Sequence, residues 1–255
     1  MPWDPEHYLN FAGERGRPFV DLLARIDADE PRSVLDIGCG PGNLTALLAR
    51  RWPSAHIAGF DSSEEMIARA EADHPGLDFA VEEVREYVDS APPPVDVLIS
   101  NAVLQWVPDH LDLLLGLVAA TRSGGWLAFQ VPGNFDQPSH TLCHELAAEA
   151  PYAEHMREVA VPAAFSAETY LRALQGLDCT VDAWETTYLH VLTGPDPVFT
   201  WVSATGARPT LEALGPDLRP AFEEEFKARL RKAYVEDSHG VVLPFRRIFV
   251  VARKS

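Results

Sequence analysis

Basic residues are scarce in this chain. Its 21 Lys and Arg stand against 38 Asp and Glu, a formal net charge of −17 over 255 residues. Nucleic-acid binding depends on neutralising phosphates with Lys and Arg, so DNA and RNA are excluded as expected partners. A small anionic ligand would also be repelled at long range, although salt screens that field beyond about 8–10 Å. Such a ligand needs a local cluster of arginines. Cysteine is equally sparse. Cys39, Cys143 and Cys179 have no close spacing, which argues against a disulfide framework and suits a reducing compartment. No uninterrupted apolar run reaches about 18 residues, so no transmembrane helix and no membrane partner are expected. The opening MPWDPEHYLNF lacks the charged and apolar regions of a secretory signal. A cytoplasmic location follows as the expectation. Internal repeats and low-complexity tracts are missing as well.

What is present is concentrated in Ser33–Asp61, SVLDIGCGPGNLTALLARRWPSAHIAGFD. It reads as an apolar strand, a glycine-rich turn, a helix from about Asn43 to Arg51, a second apolar strand and a lone acid. Gly38, Gly40 and Gly42 recur at every second position, where glycine permits positive φ and lets a ligand approach the backbone. The following helix points its free N–H groups at that ligand. Asp61 ends the second strand, where a carboxylate can accept from both hydroxyls of a ribose. Dinucleotide sites use G-x-G-x-x-G to press a helix N-terminus on a pyrophosphate. Here the spacing is G-x-G-x-G and Asp36 precedes it. An acid there is wrong for a pyrophosphate and right for an ammonium. S-adenosylmethionine carries an ammonium, a sulfonium, a carboxylate and an adenosine, with no phosphate, so the turn favours it over NAD.

The remaining pattern alternates strands and helices, as βαβ units of a parallel sheet do. Leu77–Val81 is a third apolar run followed by Glu82 and Glu83, and Val95–Ser100 is a fourth. Trp126–Val131, after the Gly124-Gly125 turn, is a fifth. Helical patterns cover Ser63–Ala72 and His110–Thr121. Residues at the carboxyl ends of parallel strands line the ligand crevice, which places Asn101, Gln105 and Trp106 beside the sulfonium and acceptor.

DIGCGPG with the downstream GFD resembles the first two cofactor motifs of the class I S-adenosylmethionine-dependent methyltransferases. The resemblance implies an α/β, Rossmann-like fold. Its seven-stranded, mostly parallel sheet would have one antiparallel strand, helices on both faces and an added helical cap. Asp36, Gly38, Gly40 and Gly42 would hold the methionine end. Asp61 would hold the ribose, and Ser62 and Met66 would also bind the cofactor. An acid after the third strand would accept from the adenine amino group; Glu83 is the choice, with adjacent Glu82 left open by strand alternation.

The second half adds a helix over Ser166–Leu174 and a long strand over Cys179–Leu192. Helical segments follow over Asp196–Ala204 and Pro216–Tyr234, and then a terminal strand over Val241–Arg253. One methyltransferase domain is expected. Its core would be 30–132 with 177–192 and 240–255, its cap insertions 133–176 and 193–239, and its N-terminal lid helix 1–28. The blocks DPEHYLNFAGERGRPF, NAVLQWVPDH, TTYLH, WVSATGARP and PFRRIF resemble, nearly end to end, the branch of that family that methylates the tricarboxylate trans-aconitate.

That resemblance implies a monomethyl ester and S-adenosylhomocysteine as products. The acceptor carboxyl, with a pKa near ~4, is already ionised, so no general base is required. Arg208 and Arg247 would anchor the other carboxylates, since arginine offers a bidentate fork. Tyr188, His190 and Trp106 would shape the pocket. Tyr8 and Arg17 would close over the cofactor, with Arg17 near its methionine carboxylate. No metal is expected: His140 and His144 have helical ligand spacing, but methyl transfer to a carboxylate needs no Lewis acid. A different small acceptor, or a non-catalytic cofactor-binding regulator, stays open. So does the oligomeric state, with a monomer as the expectation.

Overall fold

The computed structural model describes residues 16–157 and 159–255, and its helical residues 16–23 form α1. Tyr8 lies outside the described residues. Three parallel strands start the sheet: β1 (Ser33–Ile37), β2 (His56–Asp61) and β3 (Asp78–Val81). β4 (Val95–Asn101) then lies on the other side of β1 and is followed outward by β5 (Thr121–Pro132). With β6 (Cys179–Leu192) and β7 (Val241–Lys254) the order is β3-β2-β1-β4-β5-β7-β6. The sheet is mixed, and β1 to β5 are its parallel part. The chain order reverses between β1 and β4, and the carboxyl ends of these two strands open the crevice where such sheets bind ligands.

The connecting helices in this half are α2 (Thr45–Arg51), α3 (Glu64–Asp73), α4 (Val84–Asp89) and α5 (His110–Ala119). β1 and β4 carry mostly apolar residues because both faces are covered; Val34, Ile37, Val97, Leu98 and Ile99 are buried. Two boundaries differ from the sequence expectation. α2 starts at Thr45 rather than Asn43, since Gly42 still has φ +78° and Leu44 caps the helix without a side-chain bond. β5 starts at Thr121, before the glycines, and Val95 pairs with Thr121 ahead of a register shift.

The chain packs as two compact units. One holds the residues up to 131 with 165–186 and 247–255; the other holds 132–164 and 187–246. The helix α7 (Ala167–Gln175) therefore packs with the sheet unit, where Tyr170 is fully buried and its hydroxyl meets the ring of His110 at 2.7 Å. The second unit is built from α6 (Pro138–Ala147), α8 (Pro197–Ser203), α9 (Arg208–Ala213) and α10 (Gly215–Ala233). Leu146, Val202, Leu211, Phe222, Phe226 and Leu243 make its core. No helix among the described residues is long and apolar enough to cross a membrane.

Candidate functional site

The glycine turn after β1 adopts the conformation its composition dictates. Gly38, Gly40 and Gly42 have φ of +68°, +55° and +78°, values that side chains disfavour. Their surroundings differ. A Cβ on Gly38 would collide with Val103, and one on Gly42 would come within 2.8 Å of Phe79. A Cβ on Gly40 would meet nothing within 4 Å. Two of the glycines serve packing, and the middle one leaves open space.

Asp61 ties this turn to the end of β2. Its Oδ2 accepts from the Gly40 N–H at 3.0 Å and its Oδ1 from the Ser63 N–H at 3.0 Å. A carboxylate has about four lone-pair sites, so each oxygen retains one for a further donor. Ser63 also caps α3, its hydroxyl accepting from the Met66 N–H at 3.3 Å. Ser62 is exposed and Met66 half-buried. Glu83 is exposed at the N-cap of α4 and makes no capping bond, so its carboxylate is not consumed there. Glu82 is half-buried, and burial raises its pKa.

Asp36 lies beneath the turn, 2% exposed, and accepts from the Thr45 hydroxyl at 2.7 Å. Burial pushes its pKa up to about 7; the Thr45 bond lowers it, and the charge of Asp61 raises it. Cys39 is buried in the turn itself. Burial, with Asp36 and Asp61 nearby, raises its thiol to about 12, so it is an inert packing residue.

The end of β4 supplies the next group. Ala102 adopts φ +59°, and its N–H donates to the Gln130 carbonyl at 2.9 Å. This sharp exit sends Gln105 inward, where its Nε2 donates to the Ala102 carbonyl at 2.5 Å. Its buried Oε1 has no partner. Trp106 stands on a short 3₁₀ turn and is 38% exposed. The Gln130 Nε2 donates to Asn101 Oδ1 at 2.6 Å, and Arg247 Nη1 donates to Gln130 Oε1 at 3.3 Å. Sequence reading missed Gln130 and Thr45. For Gln130 a signal existed: it is the one polar side chain inside the apolar run Trp126–Val131.

Tyr188 and His190 are buried in the second unit, where His190 stacks on Trp201 with ring centroids 4.7 Å apart. Arg208 opens α9 with its side chain 61% exposed and donates to Glu212 one turn on at 2.8 Å. Arg17 is exposed on α1. His140 is buried beside Gly206 and held by Ser139 Oγ at 3.1 Å, and burial lowers its pKa to about 4. Among the described residues no cluster of three or more His, Cys, Asp or Glu could hold a metal. A cavity of about 280 Å³ within the second unit, lined by His144, Ala147, Met156, Val159 and Thr210, includes none of the expected site residues.

A methyltransferase-domain family model matches residues 10–183. A trans-aconitate 2-methyltransferase of Streptomyces coelicolor is 50% identical, over 99% of this chain and 86% of its own length. One of Mycolicibacterium gilvum is 48% identical over 98% of each chain. The chain belongs to the trans-aconitate 2-methyltransferase family. Among solved structures, YcgJ of Bacillus subtilis superposes with a TM-score of 0.60 at 12% identity, covering 91% of this chain and 95% of its own. The [4+2]-cyclase SpnF does so at 0.56 and 15%, covering 95% and 83%. Those two likenesses concern the fold alone, and one of them is named a cyclase, so the fold does not fix the chemistry. For a trans-aconitate 2-methyltransferase family member, the informative parts are the turn, the two aspartates and the Asn101–Gln130–Arg247 chain.

Proposed function

We propose that the protein transfers a methyl group from S-adenosylmethionine to a carboxylate oxygen of trans-aconitate, giving the monomethyl ester and S-adenosylhomocysteine. The observation that carries this reading is the near-full-length identity to relatives named for that activity. S-adenosylmethionine, when bound, supplies an electrophilic methyl on a cationic sulfur. The residues present fit it. Gly40 leaves room for the ligand against the backbone, and Asp61 keeps a lone pair on each oxygen for the ribose hydroxyls. The buried, unpartnered Gln105 Oε1 and the Asp36 carboxylate offer negative potential to the ammonium. Glu83 is the acceptor for the adenine amino group, and Ser62 and Met66 flank the ribose.

The protein's part in the chemistry is positioning. The acceptor is ionised at neutral pH, so no side chain needs to remove a proton. Alignment of a carboxylate oxygen at about 3–3.5 Å from the methyl is the main demand. Arg247 is the first candidate to anchor another carboxylate, because its bond to Gln130 holds one end of the guanidinium in the sheet unit. Arg208, engaged by Glu212, ranks second. Trp106, Tyr188 and His190 are the pocket-shaping candidates.

Incubation with methyl-labelled S-adenosylmethionine and trans-aconitate should give a base-labile ester. No turnover with trans-aconitate would sink the proposal. Arg247→Ala should lower kcat/KM by about 10- to 100-fold, the worth of a charge-assisted hydrogen bond. A larger loss at Arg208→Ala would reverse the ranking.

A further inference from the structure

In the reading above Gln130 only holds Arg247, yet both ends of its amide are committed. It is 1% exposed in β5 and pairs in register with Asn101 of β4. A guanidinium has donors only. The Arg247 Nη1 at 3.3 Å therefore requires Gln130 to turn its Oε1 toward it. That forces the Gln130 Nε2 toward Asn101, where it donates to Oδ1 at 2.6 Å. One of the two lone pairs of Asn101 Oδ1 is thereby taken, and that oxygen is held facing Gln130. No acceptor among the described residues takes the Asn101 Nδ2, and Asn101 is half-buried. The backbone is held as well, by the Ala102 N–H bond to the Gln130 carbonyl at 2.9 Å.

We propose that Gln130 is a positioning residue: its amide relays the donor-only character of Arg247 to Asn101, so that Asn101 presents its NH₂ group to a carboxylate in the methyl-transfer site. The inference rests on the function proposed above. An NH₂ group donates and cannot accept, which selects an anion over the ammonium or the sulfonium. The carboxylate belongs either to the methionine part of the donor or to the acceptor.

Gln130→Glu separates these cases. It keeps an acceptor for Arg247 but offers Asn101 only acceptors, so the Asn101 amide turns over and presents its oxygen instead. The expected result is a loss of about tenfold or more, the scale of a hydrogen bond to a charged group. A weaker Kd for S-adenosylhomocysteine assigns the carboxylate to the donor; a raised KM for trans-aconitate assigns it to the acceptor. Gln130→Met, which adds no buried charge, should move the same constant by less, because it frees Asn101 without reversing it. In an Asn101→Ala background both substitutions should change that constant by less than about twofold. Equal losses in that background, or unaltered constants in the Gln130→Glu protein, overturn the relay. A wild-type protein that binds S-adenosylhomocysteine but never methylates trans-aconitate sinks the function reading. The relay is then judged by the S-adenosylhomocysteine Kd alone.

Discussion

Asp36 is the residue whose chemistry is most exposed to experiment. Burial holds its folded-state pKa at about 7, above the ordinary 3.8. Between those values the free protein keeps a proton that the unfolded chain has lost, so this group's contribution to stability falls as pH rises through the window. Binding an ammonium favours the ionised form and lowers that pKa. S-adenosylhomocysteine should therefore bind more tightly as pH rises toward about 7, releasing a proton below it. Titration calorimetry in two buffers of different ionisation heat reads the proton directly, and Asp36→Asn should abolish its release. The three glycines allow a second contrast. Gly40→Ala costs the strain of positive φ, about 1–3 kcal/mol, but meets no neighbour, so its new methyl stands in the open space and should weaken S-adenosylhomocysteine binding. Gly38→Ala adds a collision with Val103 and should lower Tm further than Gly40→Ala. The reverse order in thermal melts would contradict this division of roles.

At the scale of elements, α3 depends on its cap. Ser63→Ala removes the acceptor for the Met66 N–H and should cost about 1 kcal/mol. In a chain of this length that is a Tm drop of about 2–4 °C, measurable by scanning calorimetry. Much of this architecture was legible from local pattern. β6 runs over Cys179–Leu192 as its alternation predicts, and β7 ends one residue from expectation. Apolar runs bounded by glycine or proline mark strands because burial and backbone stiffness both act locally. What was not legible depends on distant partners. The start of β5 at Thr121 is set by pairing with Val95, and α7 joins the sheet unit through Tyr170 and His110. Likewise the sequence could name Asn101 from its place at the carboxyl end of the fourth apolar run, yet Gln130 gains its meaning from Arg247, 117 residues away. Arg208 looked equivalent to Arg247 in composition, and the helical spacing that pairs it with Glu212 separates them.

At the scale of the whole molecule, the charge of −17 opposes the approach of a tricarboxylate. Raising ionic strength from about 10 to about 100 mM shortens the screening length from about 30 to about 10 Å. It should therefore increase kcat/KM for trans-aconitate, with the change in the association rate and not in kcat. A fall over that range would mean that local arginines outweigh the global field.

The contact between Gly38 and Val103 sets a limit on redesign. The segment after β4 cannot be repacked at Val103 with a bulkier side chain unless the donor turn moves, because the missing Cβ of Gly38 is the space that Val103 fills. Efforts to broaden the range of acceptors would do better to start from Arg247, whose Nη1 bonds the Gln130 side chain. The same contact makes Val103→Ala a mild way to loosen the turn without altering any polar group.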